Sequence, residues 1–398
     1  MQKVAIIGGG ASGIVAAIQA SKSGANVEIF EKNSTLGKKI AIAGNGKCNI
    51  SNTEISAQNY YCKDPSFVNA IINTVNFKAL QKLFLDFGIV FTQNSGQVFP
   101  HSKDGKNVLS LLQNRLVDNG VKIHHNCEIT AVKKTSNFTL FSADKTFSGY
   151  DKVMLCSGSN AYIKHPTRDS YFLAKDLGLQ VQDAFASLVQ VNLKQHHHKI
   201  ASGVKVNAKV TLQLDGTTHQ CCGDLLFTPY GLSGLSILDL SYRIATAKQK
   251  GKKVVLNVDL FQQKPLLELE EFLKTLYQKS KPQELELFLK SLFPSKLVTM
   301  LMQKYNLDQT INPKVIKKLC YIFKEIEFEV DSTRELKYAE VAGGGVSVEE
   351  VDKQTLMSKK IPNLYLGGEV LDVVGQRGGY NLHFALACGV ICGKSLVG

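Results

Sequence analysis

A thiol lies beside an ammonium group in the stretch GNGKCNISN, residues 44–52, where Lys47 and Cys48 follow two closely spaced glycines. Because glycine leaves the backbone bare, a loop of this composition is expected to bury little and to form no regular element. We therefore interpret residues 44–52 as a loop shaped for a ligand. Other parts of the chain must identify that ligand.

The amino terminus carries the glycine pattern of a dinucleotide site. The stretch KVAIIGGGASGIVAAIQASKSGANVEIFEK predicts a strand, a glycine turn, a helix and a second strand, which together form a βαβ unit. In the pattern G-x-G-x-x-G, Gly8 makes the tight turn, Gly10 admits a pyrophosphate and Gly13 lets the helix pack on the strand. Glu31, 18 residues after Gly13, is placed to accept hydrogen bonds from ribose hydroxyls. A purely structural turn is the alternative.

The carboxyl terminus repeats this order of elements. The stretch IPNLYLGGEVLDVVGQRGGYNLHFALACGVICGKSLVG again predicts a strand, a glycine turn and a helix. A second such segment at the far end is the arrangement of flavoproteins, so we expect FAD. Glu369 or Asp372 would reach a ribityl hydroxyl, while Gly378 and Gly379 would let a helix amino terminus approach the isoalloxazine ring. An ordinary final βα unit is the alternative.

The segments between these ends predict a doubly wound α/β sheet with an insertion. YDKVMLCSGSNAY predicts a buried strand closed by Ser157 and Gly158 beneath the cofactor, and HHNCEITAVKK predicts a strand near the adenine. From about residue 185 to 340 the pattern changes to short alternating strands, then to amphipathic helices across residues 266–304. We interpret this region as an inserted substrate domain.

The composition, with 398 residues that are 44% hydrophobic and 20% charged, predicts a globular protein of two or three domains. No apolar run approaches the ~18 to 20 residues of a membrane span, and the first strand leaves no room for a signal peptide. We expect a soluble cytoplasmic protein without a membrane partner. Nine cysteines without zinc-like spacing predict reduced thiols and no metal site, and the HHHK run at residues 196–199 predicts a solvated loop. A net charge of +13 makes a polyanionic partner such as RNA plausible without requiring one.

The whole chain resembles the BaiN/RdsA-type NAD(P)/FAD-dependent oxidoreductases, also known as YhiN-like flavoproteins. The amino-terminal glycine motif and three further segments carry the resemblance: EKNSTLGKKIAIAGNGKCNISN, GDLLFTPYGLSGLSILDLS and AEVAGGGVSVEEVDKQTLMSKKIPNLYLGGEVLDVVGQRGGYNLHFALACG. The resemblance implies a Rossmann-type FAD-binding domain in two segments, interrupted by a β-rich domain with a helical subdomain. The expected boundaries are 1–184 for the first FAD segment, 185–262 for the β-rich domain, 263–325 for the helical insertion, 326–340 for the return to the FAD domain and 341–398 for the second FAD segment.

The resemblance also implies an activity, in which NAD(P)H reduces FAD and the flavin delivers hydride to a C=C bond. The expected acceptor is a uridine in large-subunit ribosomal RNA, bound through a basic surface and converted to dihydrouridine. One alternative is a flavin reductase or oxidase acting on a small unsaturated acid, steroid or amine. Another is a flavin-bound sensor or binding protein without turnover.

The resemblance assigns the loop at residues 44–52 to the flavin ring. Cys48 would be a general acid that gives a proton to the carbon not attacked by hydride, with Lys47 lowering its pKa or holding anionic substrate. Arg377 would neutralise reduced flavin or a phosphate. The alternatives are that Cys48 only packs under the ring and that Arg377 forms a surface salt bridge. The expected cofactor-binding residues are Gly8, Gly10, Ser12, Gly13, Glu31, Lys32, Lys38, Gly46, Asn49, Ile129, Ser157, Gly158, Gly368, Glu369, Asp372, Gly379, Tyr380 and Asn381.

Several positions depart from the family pattern and bear on the substrate more than on FAD. Asn45 replaces a glycine and Lys47 replaces an arginine. At Lys47 the positive charge is kept, but the planar guanidinium group of arginine is lost. A glycine-rich segment is reduced to HPTRDSYFLAK, which includes Pro166 to Lys175. Pro229 replaces a usual histidine, and Leu235 a usual proline.

Overall fold

The computed structural model describes residues 1–161, 170–282, 284–307 and 310–398. By their contacts, the described residues divide into two compact units. Unit 1 comprises Met1–Phe185 and Val341–Gly398, and unit 2 comprises Ala186–Glu340. Part of the atypical stretch from Pro166 to Lys175 lies outside the described residues.

The first segment of unit 1 contains both strands and helices. Its strands are β1 (Lys3–Ile7), β2 (Asn26–Phe30), β3 (Ser51–Asn52), β4 (Tyr60–Tyr61), β5 (Phe91–Asn94), β6 (Gln97–Pro100), β7 (Lys122–His124), β8 (Ala131–Lys134), β9 (Phe138–Phe141), β10 (Thr146–Tyr150), β11 (Lys152–Leu155) and β12 (Val181–Ser187). Its helices are α1 (Ala11–Lys22), α2 (Lys38–Ile42), α3 (Pro65–Thr74), α4 (Phe77–Asp86), α5 (Gly105–Asp118) and α6 (Ser170–Asp176).

Unit 2 follows, and the chain then returns to unit 1. The elements of unit 2 are β13 (Val191–Leu193), β14 (Lys205–Leu214), β15 (Thr217–Phe227), β16 (Gly231–Ser233), α7 (Leu235–Gln249), β17 (Val254–Asp259), α8 (Leu266–Ser280), α9 (Leu285–Lys290), α10 (Ser295–Tyr305), α11 (Pro313–Lys324) and β18 (Ile326–Thr333). The second segment of unit 1 contains β19 (Val341–Val346), β20 (Leu364–Leu366), β21 (Val374–Gly375) and α12 (Tyr380–Ser395).

The main sheet of unit 1 joins the two ends of the chain. Its strand order is β20-β11-β1-β2-β7, all parallel, with α1 and α12 packed against each other beside it. Strand β1 is a continuous apolar run because a parallel sheet is covered on both faces. Strand β20 pairs with β11 so that Leu366 lies opposite Leu155, which places the carboxy-terminal glycine turn at the same sheet edge as the amino-terminal one.

The stretch HHNCEITAVKK, predicted as one strand, contains only the last residue of β7, His124, and the whole of β8, with a turn between them. Strand β7, which ends at His124, is the edge strand of the main sheet. Strand β8 belongs to a separate antiparallel sheet of order β10-β9-β8. Asn126 adopts a left-handed conformation (φ +52°) and the Cys127 N–H donates to the Glu31 carbonyl at 2.9 Å, which turns the chain between the two strands.

Unit 2 is built on a closed barrel of order β13-β16-β15-β14-β17-β18, and α8 to α11 share its apolar core. Residues 326–340 were expected to return to the FAD domain, but they lie in unit 2. The reason is the alternation of Ile326, Phe328 and Val330, whose buried side chains make β18 the strand that closes the barrel between β17 and β13.

Candidate functional site

The glycine turn after β1 has the geometry that its sequence predicts. Gly8 has φ +114°, and a Cβ there would lie 2.4 Å from the Ser157 Cα, so the turn packs directly on the end of β11. A Cβ on Gly13 would lie 2.0 Å from the Gly8 carbonyl oxygen. A Cβ on Gly10 would meet no described atom within 4 Å. Two of the glycines are therefore required by packing, and Gly10 borders open space.

The start of α1 presents polar groups toward this turn. Gly10 is the residue that precedes the helix, and among the described residues no side chain caps its first turn. The Ser12 side chain is only 3% exposed, yet its hydroxyl finds no hydrogen-bond partner in the described part of the chain. Buried hydroxyls are normally paired. The open space at Gly10 and the unpaired Ser12 hydroxyl lie together at the amino terminus of α1. We call this place the cradle, and it fits a pyrophosphate.

Glu31 clamps the glycine turn at the end of β2. Its carboxylate accepts hydrogen bonds from the Gly9 N–H (2.8 Å) and the Asn33 N–H (2.9 Å). The Lys38 ammonium donates to the Asn33 side-chain oxygen (2.6 Å), so Lys38 braces this clamp from outside. Lys32 is half-buried beside it and Ile129 is buried in the core of unit 1. Contacts of these residues with a cofactor stay predictions.

Glu369 lies in the carboxy-terminal glycine turn, where Gly368 has φ +78°. Its carboxylate accepts hydrogen bonds from the Ser159 hydroxyl (2.9 Å) and the Ala342 N–H (3.0 Å), and it forms an ion pair with Lys39. Lys38 was predicted from the sequence as a cofactor-binding residue, whereas Lys39 and Ser159 were not. Adjacent residues of α2 face different directions, and the sequence does not show which lysine meets the carboxylate.

Residues at the end of β11 complete this side of the site. The Ser157 hydroxyl hydrogen bonds with the Ser170 hydroxyl at 2.6 Å, and a Cβ on Gly158 would lie 3.6 Å from the Glu369 carboxylate. Burial raises the pKa of Asp372, with a hydrogen bond from the Gly344 N–H opposing the shift. The structure thus places Gly158 close to Glu369 and Ser157 beside Ser170, and the contacts of these residues with a cofactor stay predictions.

The amino terminus of α12 is tied to the loop at residues 44–52. Gly379 has φ +95°, and a Cβ there would lie 2.3 Å from the Ser51 carbonyl oxygen. In the amide orientation that satisfies both of its ends, the Asn49 oxygen accepts a hydrogen bond from the Gly379 N–H at 3.3 Å. The Asn52 amide donates to the Gly378 carbonyl at 3.1 Å. Asparagines from the loop therefore hold the start of the helix.

Further contacts anchor the first turn of α12. The Asn381 side chain accepts from the Gly375 N–H (2.7 Å) and donates to the Gly375 carbonyl (2.8 Å). The Tyr60 hydroxyl donates to the Tyr380 carbonyl at 3.0 Å. These bonds give Asn381 and Tyr380 a structural role, and their predicted contacts with the cofactor remain untested.

A buried histidine on α12 fixes the loop from the other side. The His383 ring nitrogens lie 2.9 Å from the Ser51 hydroxyl (Nδ1) and 2.9 Å from the Val75 carbonyl (Nε2). Since a carbonyl only accepts, Nε2 carries the proton and the Ser51 hydroxyl donates to Nδ1. Burial lowers the pKa of His383 to about 4, so the ring is neutral near pH 7.

Cys48 is fully buried, with φ +59°, so the expectation that the loop buries little is wrong. The expectation of no regular element also fails, because Ser51–Asn52 pairs with β6. Flanking glycines let the backbone fold back, and the Cys48 N–H donates to the Ala43 carbonyl at 2.8 Å. Burial raises the pKa of the Cys48 thiol to about 12, so the predicted lowering by Lys47 is wrong. Lys47 itself is exposed, and desolvation of the thiol decides the shift.

The remaining predicted residues of the loop region lie near α12 and α5. The Gly46 carbonyl accepts from the Gly105 N–H at 2.8 Å, which joins the loop to the start of α5. Arg377 is half-buried and follows Gln376, whose N–H donates to the Asn59 carbonyl at 2.8 Å. The backbone that carries the guanidinium is therefore hydrogen-bonded on both sides of Arg377, at Gln376 and at Gly378.

Two other predictions concern groups outside this site. In the HHHK run His198 is buried, so the predicted solvation holds only for its exposed neighbours His196, His197 and Lys199. Within the described ranges, no helix is both long and apolar enough to cross a membrane. The same ranges hold no group of three or more side chains arranged to bind a metal ion.

The chain is similar to known proteins along nearly its whole length. The sequence model of a family described as HI0933-like protein Rossmann domain matches residues 2–395. A 3-dehydro-bile acid delta(4,6)-reductase from Clostridium scindens is 31% identical over 404 residues, covering 99% of each chain. A ribosomal RNA dihydrouridine synthase from Haemophilus influenzae is 26% identical over 403 residues, covering 98% of this chain and 97% of that protein.

A solved structure shares the fold. The 3-ketosteroid delta1-dehydrogenase from Sterolibacterium denitrificans, solved in complex with 1,4-androstadiene-3,17-dione, superposes with a TM-score of 0.53 and 13% identity, covering 100% of both chains. At this identity the likeness concerns the fold alone.

Proposed function

The chain belongs to the HI0933-like family of Rossmann-type oxidoreductases, and we propose that it binds FAD in unit 1 and reduces a C=C bond conjugated to a carbonyl group. Membership confirms the predicted family resemblance. The parallel sheet and the inserted barrel confirm the predicted fold class.

One observation carries the proposal of FAD: the open space at Gly10 beside the orphaned Ser12 hydroxyl at the start of α1. Ser12 and the first N–H groups of α1 would hold the pyrophosphate, and the Glu31 carboxylate would hold the adenosine ribose. Glu369 and Asp372 would hold the ribityl chain. The amino terminus of α12, fixed by Asn49 and Asn52, would face the ring.

FAD would supply the hydride when bound, and NAD(P)H is our proposed source of electrons. The chain must then polarise the acceptor carbonyl and deliver a proton to the second carbon. We assign the cations Arg377 and Lys47 to the substrate side, as electrostatic partners of developing negative charge. The complete burial of Cys48 favours its packing role over its role as proton donor.

The names of two relatives describe the same chemistry on different molecules. A delta(4,6)-reductase acts on double bonds of a bile acid, and dihydrouridine is uridine with two hydrogens added to its C5=C6 bond. In both acceptors the double bond is conjugated to a carbonyl, so hydride adds to one carbon and a proton to the other. This shared pattern supports the proposed reaction class.

The proposed acceptor is a uridine in large-subunit ribosomal RNA. The Haemophilus influenzae relative and the net charge of +13 support it, since lysines would hold phosphates. A second candidate is a small steroid-like enone, which the 31% identity to the bile acid reductase favours. The two acceptors differ in size and charge, so one experiment separates them.

The test maps dihydrouridine by mass spectrometry in ribosomal RNA from a strain lacking the protein. That strain is then restored with wild type or with Gly10→Ala, a variant designed to fold without binding FAD. Loss of one dihydrouridine that only wild type restores supports the RNA acceptor. An unchanged profile, together with NAD(P)H-dependent reduction of a steroid enone by purified protein, assigns the second candidate. A purified protein that contains no FAD contradicts the proposal as a whole.

A further inference from the structure

An arginine in unit 2 is stacked between two tyrosine rings. The Arg334 guanidinium carbon lies 4.2 Å from the centroid of the Tyr230 ring and 3.6 Å from that of the Tyr338 ring. Both distances are well inside the ~6 Å within which a cation and a ring attract each other. We call Tyr230, Arg334 and Tyr338 the stack.

Backbone hydrogen bonds hold each member of the stack in place. The Tyr230 carbonyl accepts from the Leu193 N–H (3.2 Å), and the Arg334 N–H donates to the Gln190 carbonyl (2.9 Å). The Tyr338 N–H donates to the Glu335 carbonyl at 2.9 Å. Tyr230 directly precedes β16 and Arg334 directly follows β18, and both strands pair with β13 in the barrel, so these two members of the stack are anchored beside its strands. A rigid surface loses little conformational entropy when it binds a partner.

The chemistry of the stack differs from that of an ordinary surface ion pair. Within the described part of the chain, no side chain accepts a hydrogen bond from the Arg334 guanidinium and no carboxylate pairs with it. The ring faces stabilise the cation without removing its charge, and the N–H groups at the edge of the guanidinium remain available as donors to a partner. The chain has 5 arginines against 42 lysines, so arginine is scarce on this surface, and only its planar group can lie flat between rings.

Tyr338 is the outermost member of the stack, with 39% of its surface exposed, whereas Arg334 and Tyr230 are half-buried. Lys337 places a second cation 5.1 Å from the Tyr338 ring and is paired with Glu335 at 2.6 Å. An exposed ring backed by a cation, with a further surface cation beside it, is the combination that single-stranded nucleic acids use, because bases stack on rings and phosphates pair with cations.

We propose that the stack binds single-stranded RNA, with a base stacked on Tyr338 and an RNA oxygen accepting hydrogen bonds from Arg334. This inference rests on the proposed ribosomal RNA acceptor and adds a recognition site in unit 2. Exposure of a uridine requires unpaired RNA around it, so a surface that captures unpaired bases would serve that acceptor.

The test measures binding of the full-length, FAD-loaded protein to a fluorescent oligouridylate of about 12 nucleotides and to an abasic strand of equal length and charge. Tyr338→Leu should weaken binding of the oligouridylate about 10-fold and leave binding of the abasic strand unchanged, because only stacking is lost. Arg334→Lys should weaken it to a similar extent without changing the salt dependence, since the charge remains. Tyr321→Leu is the matched control, because Tyr321 is an exposed tyrosine of unit 2 outside the stack.

Three outcomes would overturn the inference. Tyr338→Leu could bind the oligouridylate as tightly as Tyr321→Leu does, or wild type could bind the abasic strand as tightly as the oligouridylate. NADPH could also displace the RNA, which would indicate that the stack binds a dinucleotide instead. Tyr338→Phe keeps the ring and should bind like wild type, which excludes general damage as the cause of weaker binding. FAD content and flavin reduction by NAD(P)H are measured on the same samples. Their failure would refute the proposed function, whereas normal flavin chemistry without base-dependent binding would refute only the stack.

Discussion

The glycine turns that precede α1 and α12 in unit 1 are held in different ways. In the amino-terminal turn, Gly8 and Gly13 lie directly against backbone atoms, and a Cβ on either residue would clash with them. The turn can therefore form only because these two residues have no side chain. In the turn before α12, Gly378 and Gly379 are hydrogen-bonded to Asn52 and Asn49, which lie more than 300 residues earlier in the chain. Both turns are close-packed through bare backbone, but the second also depends on hydrogen bonds from side chains of the loop at residues 44–52.

The largest expected effect tests the steric account of the first turn. Gly8→Ala places a Cβ 2.4 Å from the Ser157 Cα at φ +114°, and we expect it to cost about 4 kcal/mol or more and to prevent folding. Gly10→Ala adds the same atom to open space, so the flavin-free protein should melt within about 2 °C of wild type. Its FAD affinity should fall at least about 100-fold, since the methyl occupies the cradle. Thermal unfolding and FAD titration measure both effects.

Equal destabilisation by the two alanines would contradict this division of roles. Unchanged FAD affinity of Gly10→Ala would show that the cradle does not hold the pyrophosphate. Ala11→Gly, at the next position of α1, provides a control for backbone changes that add no atom.

The contrast between the turns also explains which features the sequence predicts. The roles of Gly13 and Glu31 follow from contacts within a βαβ unit, and short-range sequence patterns report such contacts, whereas Gly8 also packs against Ser157 at the end of β11. The choice of Lys39 over Lys38 depends on which way a short helix faces. The burial of Cys48 and the contact of Ser51 with His383 depend on segments far apart in the chain, so no local sequence pattern predicts them.

A second prediction concerns pH and the tertiary support of the second turn. Burial lowers the pKa of His383 to about 4 in the folded state, against ~6.5 in the unfolded chain. Between these values the unfolded chain binds a proton that the folded state does not, so the free energy of unfolding falls as pH falls from about 6.5 to about 4. The full contribution is present above pH ~6.5, and its loss amounts to about 3 kcal/mol. Urea unfolding of the flavin-free protein across this range measures it.

His383→Gln isolates this contribution from that of the carboxylates. The variant should be less stable than wild type near pH 7, because the contact with Ser51 is lost, and its stability should change less steeply between pH 6.5 and 4. The control is His197→Gln, at an exposed histidine of unit 2, which should keep the wild-type slope. Equal slopes in wild type and His383→Gln would mean that the buried ring does not govern this window.

A third prediction concerns the loop that supports the second turn. If Cys48 packs beneath the loop, Cys48→Ala should retain FAD and lower turnover less than about 10-fold, through loosening of Asn49 and its bond to Gly379. A general acid would be needed in every turnover, and its loss would cost about 100- to 10,000-fold. Steady-state kinetics distinguishes the two roles. A loss in the larger range, with FAD content unchanged, would restore Cys48 as the proton donor.

The smallest expected effect concerns the one polar side chain of the first turn that lacks a partner among the described residues. Ser12→Ala removes a buried hydroxyl without a hydrogen bond, so the flavin-free protein should become more stable by about 1 kcal/mol. The same change should weaken FAD binding about 3- to 10-fold, because the hydroxyl is the proposed donor to the pyrophosphate. Higher stability of the flavin-free protein together with weaker FAD binding would indicate that the Ser12 hydroxyl serves ligand binding rather than stability. A variant that loses stability in the flavin-free state would instead show that Ser12 serves packing, and the first turn would then resemble the second in needing its side chains.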